Sequence, residues 1–229
     1  SLSEVYTGEN QEELIAILFN EGTVDVKRNI VRALIKFGRQ EHIESALLEA
    51  TLSFKDPIIR SRTIEYLIQE CKKETVISKM KQALLEADED ENLRRTAVRV
   101  LQEIASKDAS KELIHALEDP DPETRRLAAE ALGQLQEEQA VSTLITTLEK
   151  DLEVGPRIAA AWALGEIDAK KAIPTLLAHL FDEDEEFLSV RNASAEALGK
   201  IAEPKTLEKI LELFQTTKNA RIQSSIALN

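Results

Sequence analysis

Hydrophobic residues recur along this chain at helical spacing in seven blocks that share one internal layout. The layout is clearest from Glu118 to Leu135, EDPDPETRRLAAEALGQL. With Arg125 as anchor, Lys27, Arg60, Arg94, Arg157, Arg191 and Arg221 hold the same place in the other blocks, at successive separations of 33, 34, 31, 32, 34 and 30 residues. Seven positions after each anchor stands Leu34, Leu67, Leu101, Leu132, Leu164, Leu198 or Leu228. A leucine kept at so drifting a period marks stacked structural repeats, each hiding its neighbour's apolar side.

Each block predicts a hairpin of a helix A, an acidic turn and a helix B that carries the anchor. The A helices are expected at 10–20, 40–53, 74–87, 108–118, 138–149, 170–181 and 204–216, and the B helices at 23–37, 56–71, 90–105, 121–135, 154–167, 186–202 and 219–229. The hairpins then span 10–38, 40–71, 74–105, 108–136, 138–168, 170–202 and 204–229, after a lead-in segment 1–9 closed by Gly8. Asp56-Pro57 and Asp121-Pro122 support the division, since a carboxylate caps the helix and proline at the first helical position gives up an N–H that has no partner there. In helix A, pairs such as Leu113/Leu117, Leu144/Leu148 and Leu176/Leu180 form one apolar stripe. In helix B the pairs three and four after the anchor, such as Ile30/Val31, Ala97/Val98 and Ala160/Ala161, join the leucine on a buried face. Gly133, Gly165 and Gly199 share one mid-helix site, where glycine costs about 1 kcal/mol against alanine. Repeated use of it predicts a helix crossing too close for a β-carbon.

Composition narrows the function classes. The 229 residues are 4% aromatic and include seven Gly and six Pro, which fits thin interlocking helical layers. A formal charge of −13 disfavours a main task of gripping nucleic acid or an anionic membrane. Ile158–Leu164, the longest strongly apolar stretch, is far too short to span a bilayer. A single cysteine, Cys71, fits a reducing compartment, and a cytoplasmic location is expected. Lys72 and Lys73 beside it would lower its pKa, although a lone helix-end thiol is more often inert.

The combination of apolar A helix, D-P-D-P-E-x-R turn and A-A-x-A-L-G resembles the HEAT-repeat family, and most closely its short HEAT-like repeats of the phycobilisome-lyase type. The resemblance covers nearly the whole chain. It implies an all-α fold, a right-handed α-solenoid (superhelix) of about seven hairpins, with B helices on the concave side. It also implies a ladder in which a turn acid accepts hydrogen bonds from the anchor of a neighbouring repeat. The residues six before the anchors are Glu21, Phe54, Asp88, Asp119, Asp151, Glu185 and Gln215, so the ladder is expected to falter at Phe54 and Gln215.

On this arrangement Arg28, Arg32, Lys36, Arg62, Arg95, Arg99 and Arg126 look into the groove and make its floor net positive. Such a stripe suits a partner protein or an acidic peptide, Arg being able to bind carboxylates bidentately. The plainer alternative is a solvated face paired to its own acids, which the like-charged Arg28/Arg32 and Arg95/Arg99 fit poorly. The fifth repeat departs from the rest: Trp162, the only tryptophan, stands where other copies carry charge, flanked by Ile158 and Glu166. It is either a contact hot spot or a space filler over Ala159, Ala163 and Ala193.

No Gly-rich phosphate loop, nucleophile elbow or Cys/His pair occurs, and His42, His115 and His179 lack partners at metal-ligand spacing. No metal and no cofactor is expected. The acid runs Glu86–Glu91 and Phe181–Phe187 lack the order of a calcium loop and read as solvated turns. The leading expectation is a non-enzymatic interaction scaffold. The alternative that the resemblance implies is a phycobilin lyase-like or phycobilisome-associated factor handling an open-chain tetrapyrrole, with a bilin-bearing protein as partner. Deoxyhypusine hydroxylases of similar repeats need His-Glu pairs, and no His here is followed by Glu. HEAT-like DNA glycosylases use a basic groove, which the acidic remainder disfavours.

Overall fold

The computed structural model describes residues 10–20, 22–86, 90–181, 188–201, 204–216 and 222. Among them no strand occurs, and the helices follow one another as arms of hairpins. The chain packs as two compact units, residues 1–93 and 94–229.

The first unit holds α1 (Gln11–Asn20), α2 (Val24–Phe37), α3 (Glu41–Ser53), α4 (Pro57–Glu70) and α5 (Lys73–Glu86). Its core interleaves both arms of two hairpins: Leu14 and Leu18 from α1, Ile30, Val31 and Leu34 from α2, Ile43 and Leu47 from α3, Ile59 and Tyr66 from α4. The residues three, four and seven after anchor Lys27 are thus all buried, as the 3.6-residue period requires. Phe19 and Phe54 close the turn end of this core with ring centroids 5.6 Å apart.

Helix α6 (Glu91–Ile104) carries the chain into the second unit, which contains α7 (Ser110–His115), α8 (Pro122–Gln134), α9 (Val141–Lys150), α10 (Val154–Glu166), α11 (Ile173–Phe181), α12 (Leu188–Ile201) and α13 (Pro204–Thr216). Here the B helices α8, α10 and α12 lie side by side, and small residues set their spacing. A β-carbon built on Gly133 would stand 2.8 Å from the α-carbon of Ala163 and 2.7 Å from Cζ3 of Trp162. One built on Gly165 would stand 2.9 Å from the α-carbon of Ala197. These approaches involve backbone, so no rotamer change relieves them. At Gly199, the third glycine of the set, no described atom lies within 4 Å of such a carbon.

Three B helices end the same way. Ala105, Gln136 and Asp168 adopt φ of 55°, 49° and 57°. Each stands eleven residues after its anchor. The next residue's N–H reaches back to the helix, as Ser106 to Leu101, Glu137 to Leu132 and Ala169 to Leu164, and closes a Schellman motif each time. Gly38 occupies the equivalent place in the first hairpin with φ 78°. The sequence hides this recurrence, because a glycine marks only one of the four exits.

The last predicted B helix, 219–229, lies outside the described residues apart from Ile222, as do the lead-in 1–9, half of the first acid run and most of the second. Gly133→Ala is expected to destabilise the protein by about 1–2 kcal/mol, the overpacking cost exceeding the gain in helix propensity. Thermal denaturation of the variant measures it, and a raised melting temperature would contradict the close crossing.

Candidate functional site

The turns between A and B helices organise every surface that follows. Asp119 accepts the N–H of Asp121 at 2.8 Å, and so shapes its own turn. It also accepts Nε and Nη2 of Arg94 from the preceding hairpin, at 2.7 and 3.0 Å. One hairpin later, Arg125 donates to both oxygens of Asp151 at 2.7 and 2.8 Å. Its Nη1 meanwhile binds the carbonyls of Asp119 and Pro120. A single guanidinium thereby clamps its own turn to the next one.

A second set of rungs runs through the helix caps. Asp121 caps α8 by accepting the Thr124 N–H at 2.8 Å, and receives Arg95 bidentately at 2.8 and 2.5 Å. Asp56 caps α4 in the same manner and receives Arg28 at 3.1 and 2.6 Å. Asp90 caps α6 and receives anchor Arg60 at 2.8 Å. Sequence reasoning identified Asp56 and Asp121 as caps but missed their partners. Like-charged neighbours at helical spacing were the available signal, since each needs an acid from beyond its own helix.

These pairs lower the acids' pKa values. The Arg95 guanidinium, aided by Thr124, holds the Asp121 carboxyl well below the usual carboxylate range. Arg28 likewise lowers the Asp56 carboxyl from its ordinary value. Burial alone would raise Asp90, but the Arg60 hydrogen bond and the Leu93 N–H bring it below its ordinary value.

Other predicted rungs differ. Lys27 places its ammonium 4.6 Å from the centroid of Phe54, so a cation–π contact stands where the ladder was expected to falter. Anchor Arg157 donates to the Leu148 carbonyl and approaches Nδ1 of His179 at 3.4 Å. Arg191 is buried at 1% exposure. Asp88 and Arg221 lie outside the described residues. Cys71 reverses the expected direction: burial, then the nearby Glu44, push its thiol up to about 12 despite Lys72 and Lys73.

The expected arginine stripe is engaged by the chain's own acids at some positions and exposed at others. Arg28, Arg32, Lys36 and Arg62 belong to the first unit, where Arg28 is bound to Asp56 and Asp25 while the other three are exposed. In the second unit Arg95 holds Asp121, and Arg99, with 63% of its side chain exposed, lies 3.6 Å from Glu123. Arg126 occupies the same repeat position as Arg28 and Arg95, but the cap position it would reach is Glu153, which makes no side-chain capping bond. Arg126 instead turns back on its own helix, binding Glu123 at 2.6 and 2.8 Å and also Glu130.

Beyond that missing rung the surface opens. Ile158, Ala159 and Trp162 of α10, with Glu130 and Gln134 of α8 and Ala193 and Glu196 of α12, line a depression of about 300 Å³. Trp162 is half-buried, its ring seated over Gly133. Lys200 lies 5.8 Å from the ring centroid and binds Glu166 at 2.6 Å and Glu196 at 3.1 Å. Ile158 and Trp162 are thus brought together on the floor, while Glu166 holds the lysine at the edge. Among the described residues no cluster of His, Cys, Asp and Glu could hold a metal ion, and no helix is long and apolar enough to cross a membrane.

This architecture of stacked helical hairpins defines an α-solenoid. The family described as HEAT repeats matches residues 77–154 and 143–229, more than half of the chain, and the protein belongs to that family. Among solved structures, the complex of CpcE and CpcF of phycocyanin lyase from Nostoc sp. PCC7120 is similar with a TM-score of 0.58 and 26% identity, over 81% of this chain and 74% of that one. The Escherichia coli protein YibA is similar in fold, with a TM-score of 0.63 and 20% identity over 96% of this chain and 81% of its own. No curated protein sequence matches.

Because Asp121 has a depressed folded value, its stabilisation is complete above the ordinary Asp value of about 3.9 and is lost as pH falls through the folded one. Asp121→Asn, which keeps a capping oxygen, is expected to cost less than Asp121→Ala, for which the loss of cap and pair together is about 1–3 kcal/mol. Denaturant melts at pH 7 and pH 3 check both statements; the difference between wild type and Asp121→Asn should shrink at the lower pH.

Proposed function

We propose that this protein is a non-enzymatic interaction module that binds a partner protein through the B-helix surface centred on Trp162. The observation that carries the reading is a tryptophan, half-buried and on a rigid helix, flooring an open depression whose other apolar lining is Ile158, Ala159 and Ala193. A large ring already held by its own backbone loses little freedom on binding, which is why such residues dominate interface energies. The expectation of an arginine trough for an acidic peptide draws less support, since Arg28, Arg95 and Arg126 are occupied by acids of this chain.

A photoreactive residue at exposed Gln134 should give a defined protein adduct in cells of the source. Ala193→Arg, which fills the depression, should abolish the adduct at an unchanged melting temperature. An adduct that survives this substitution would refute the reading.

The likeness to the phycocyanin lyase complex supports a second reading, in which the protein handles an open-chain tetrapyrrole or a bilin-bearing protein. Trp162 would then meet the ring system and exposed Arg99 a propionate. A change in visible absorption when a bilin is added to the protein is the expected outcome, and an unaltered spectrum would remove the reading.

A further inference from the structure

The depression at Trp162 is surrounded by acids whose basic neighbours are already in use. Glu130 and Glu196 line it directly, and none of its described lining residues is a lysine or arginine. Arg126 is bound to Glu123 and Glu130. Lys200 is bound to Glu166 and Glu196. Glu123, Glu130, Glu166 and Glu196 therefore outnumber the three cations paired with them, Arg99, Arg126 and Lys200.

The tryptophan adds to the same preference. Its ring face carries negative quadrupole density, and the approach of Lys200 to 5.8 Å demonstrates that a cation is accommodated there. An approaching carboxylate would meet Glu130 and Glu196, with no lysine or arginine among the described lining residues to receive it. An apolar side chain, by contrast, finds Ile158, Ala159 and Ala193 and a volume of about 300 Å³.

Resting on the reading that Trp162 marks the docking surface, we infer that its occupant is a cationic amphipathic segment of a partner protein, an apolar anchor flanked by lysine or arginine. This reverses the charge expected from the sequence. Arg28, Arg95 and Arg126, three of the cations that suggested an acidic ligand, bind acids of their own chain, so the field at the tryptophan is set by the excess of glutamates over cations around it.

The test uses two synthetic peptides of equal length, with leucines at the same positions and either lysine or glutamate elsewhere, and no tryptophan. Each is titrated into the full-length chain while the emission of Trp162, its sole tryptophan, is followed. The lysine peptide should change the emission saturably and the glutamate peptide should not. Glu130→Gln with Glu196→Gln should weaken the lysine peptide about five- to tenfold. Ala193→Arg should abolish the response, which separates the depression from general attraction to an acidic protein.

A response to the glutamate peptide of equal or greater strength would overturn the charge assignment and leave docking at Trp162 standing. A lysine peptide indifferent to the paired glutamine substitutions would overturn it as well, as would silence from both peptides. Retention of the Gln134 adduct in Ala193→Arg is the distinct result that removes the docking reading itself.

Discussion

A carboxylate at the start of a helix has more than one demand on it, and this fold depends on how those demands are combined. Asp121 satisfies an N–H at the head of α8 that has no partner within the helix, and with the same two oxygens it receives Arg95 from the preceding hairpin. Capping and stacking thus become one interaction. Apolar burial would hold two helical hairpins together over a range of sliding positions, since it is largely non-directional. A bidentate guanidinium–carboxylate pair tolerates little sliding. The rungs therefore fix the register in which the apolar faces meet, and at the junction held by Arg125 and Asp151 the small residue Ala163 lies opposite Gly133.

The proposed docking surface lies where this arrangement lapses. Between α8 and α10 the cap position is Glu153 instead of Asp, and Arg126 folds onto its own helix. The same junction has a close backbone approach, Gly133 against Ala163, and the tryptophan seated across it. Loss of an ionic rung and gain of a close apolar crossing go together here. The structure loses a tie at this junction and leaves a large ring half-buried at the surface.

The helical repeat and the layout of each hairpin were legible in the sequence, because both depend on local periodicity and on residues a few positions apart. The glycines at 133 and 165 announced a close crossing for the same reason. The partners of Arg28 and Arg95 were not legible. They lie 28 and 26 residues away, and a drifting period leaves the opposing position undetermined until the hairpins are stacked. Which of the stripe's arginines remain available to a partner follows from those pairings, so it was not legible either. The contact of Lys27 with Phe54 was hidden differently: each residue looked like a defect in its own copy, and only together do they form a rung.

The exits of the B helices carry an implication for how such chains change. At Ala105, Gln136 and Asp168 the backbone makes the same left-handed step and the same pair of main-chain hydrogen bonds with three unrelated side chains. A junction written in main-chain atoms does not need its residues to coevolve. A whole hairpin can then be duplicated, deleted or exchanged by recombination at that step with the joint re-forming unaided, which leaves the number of hairpins open to selection while each surface diverges separately.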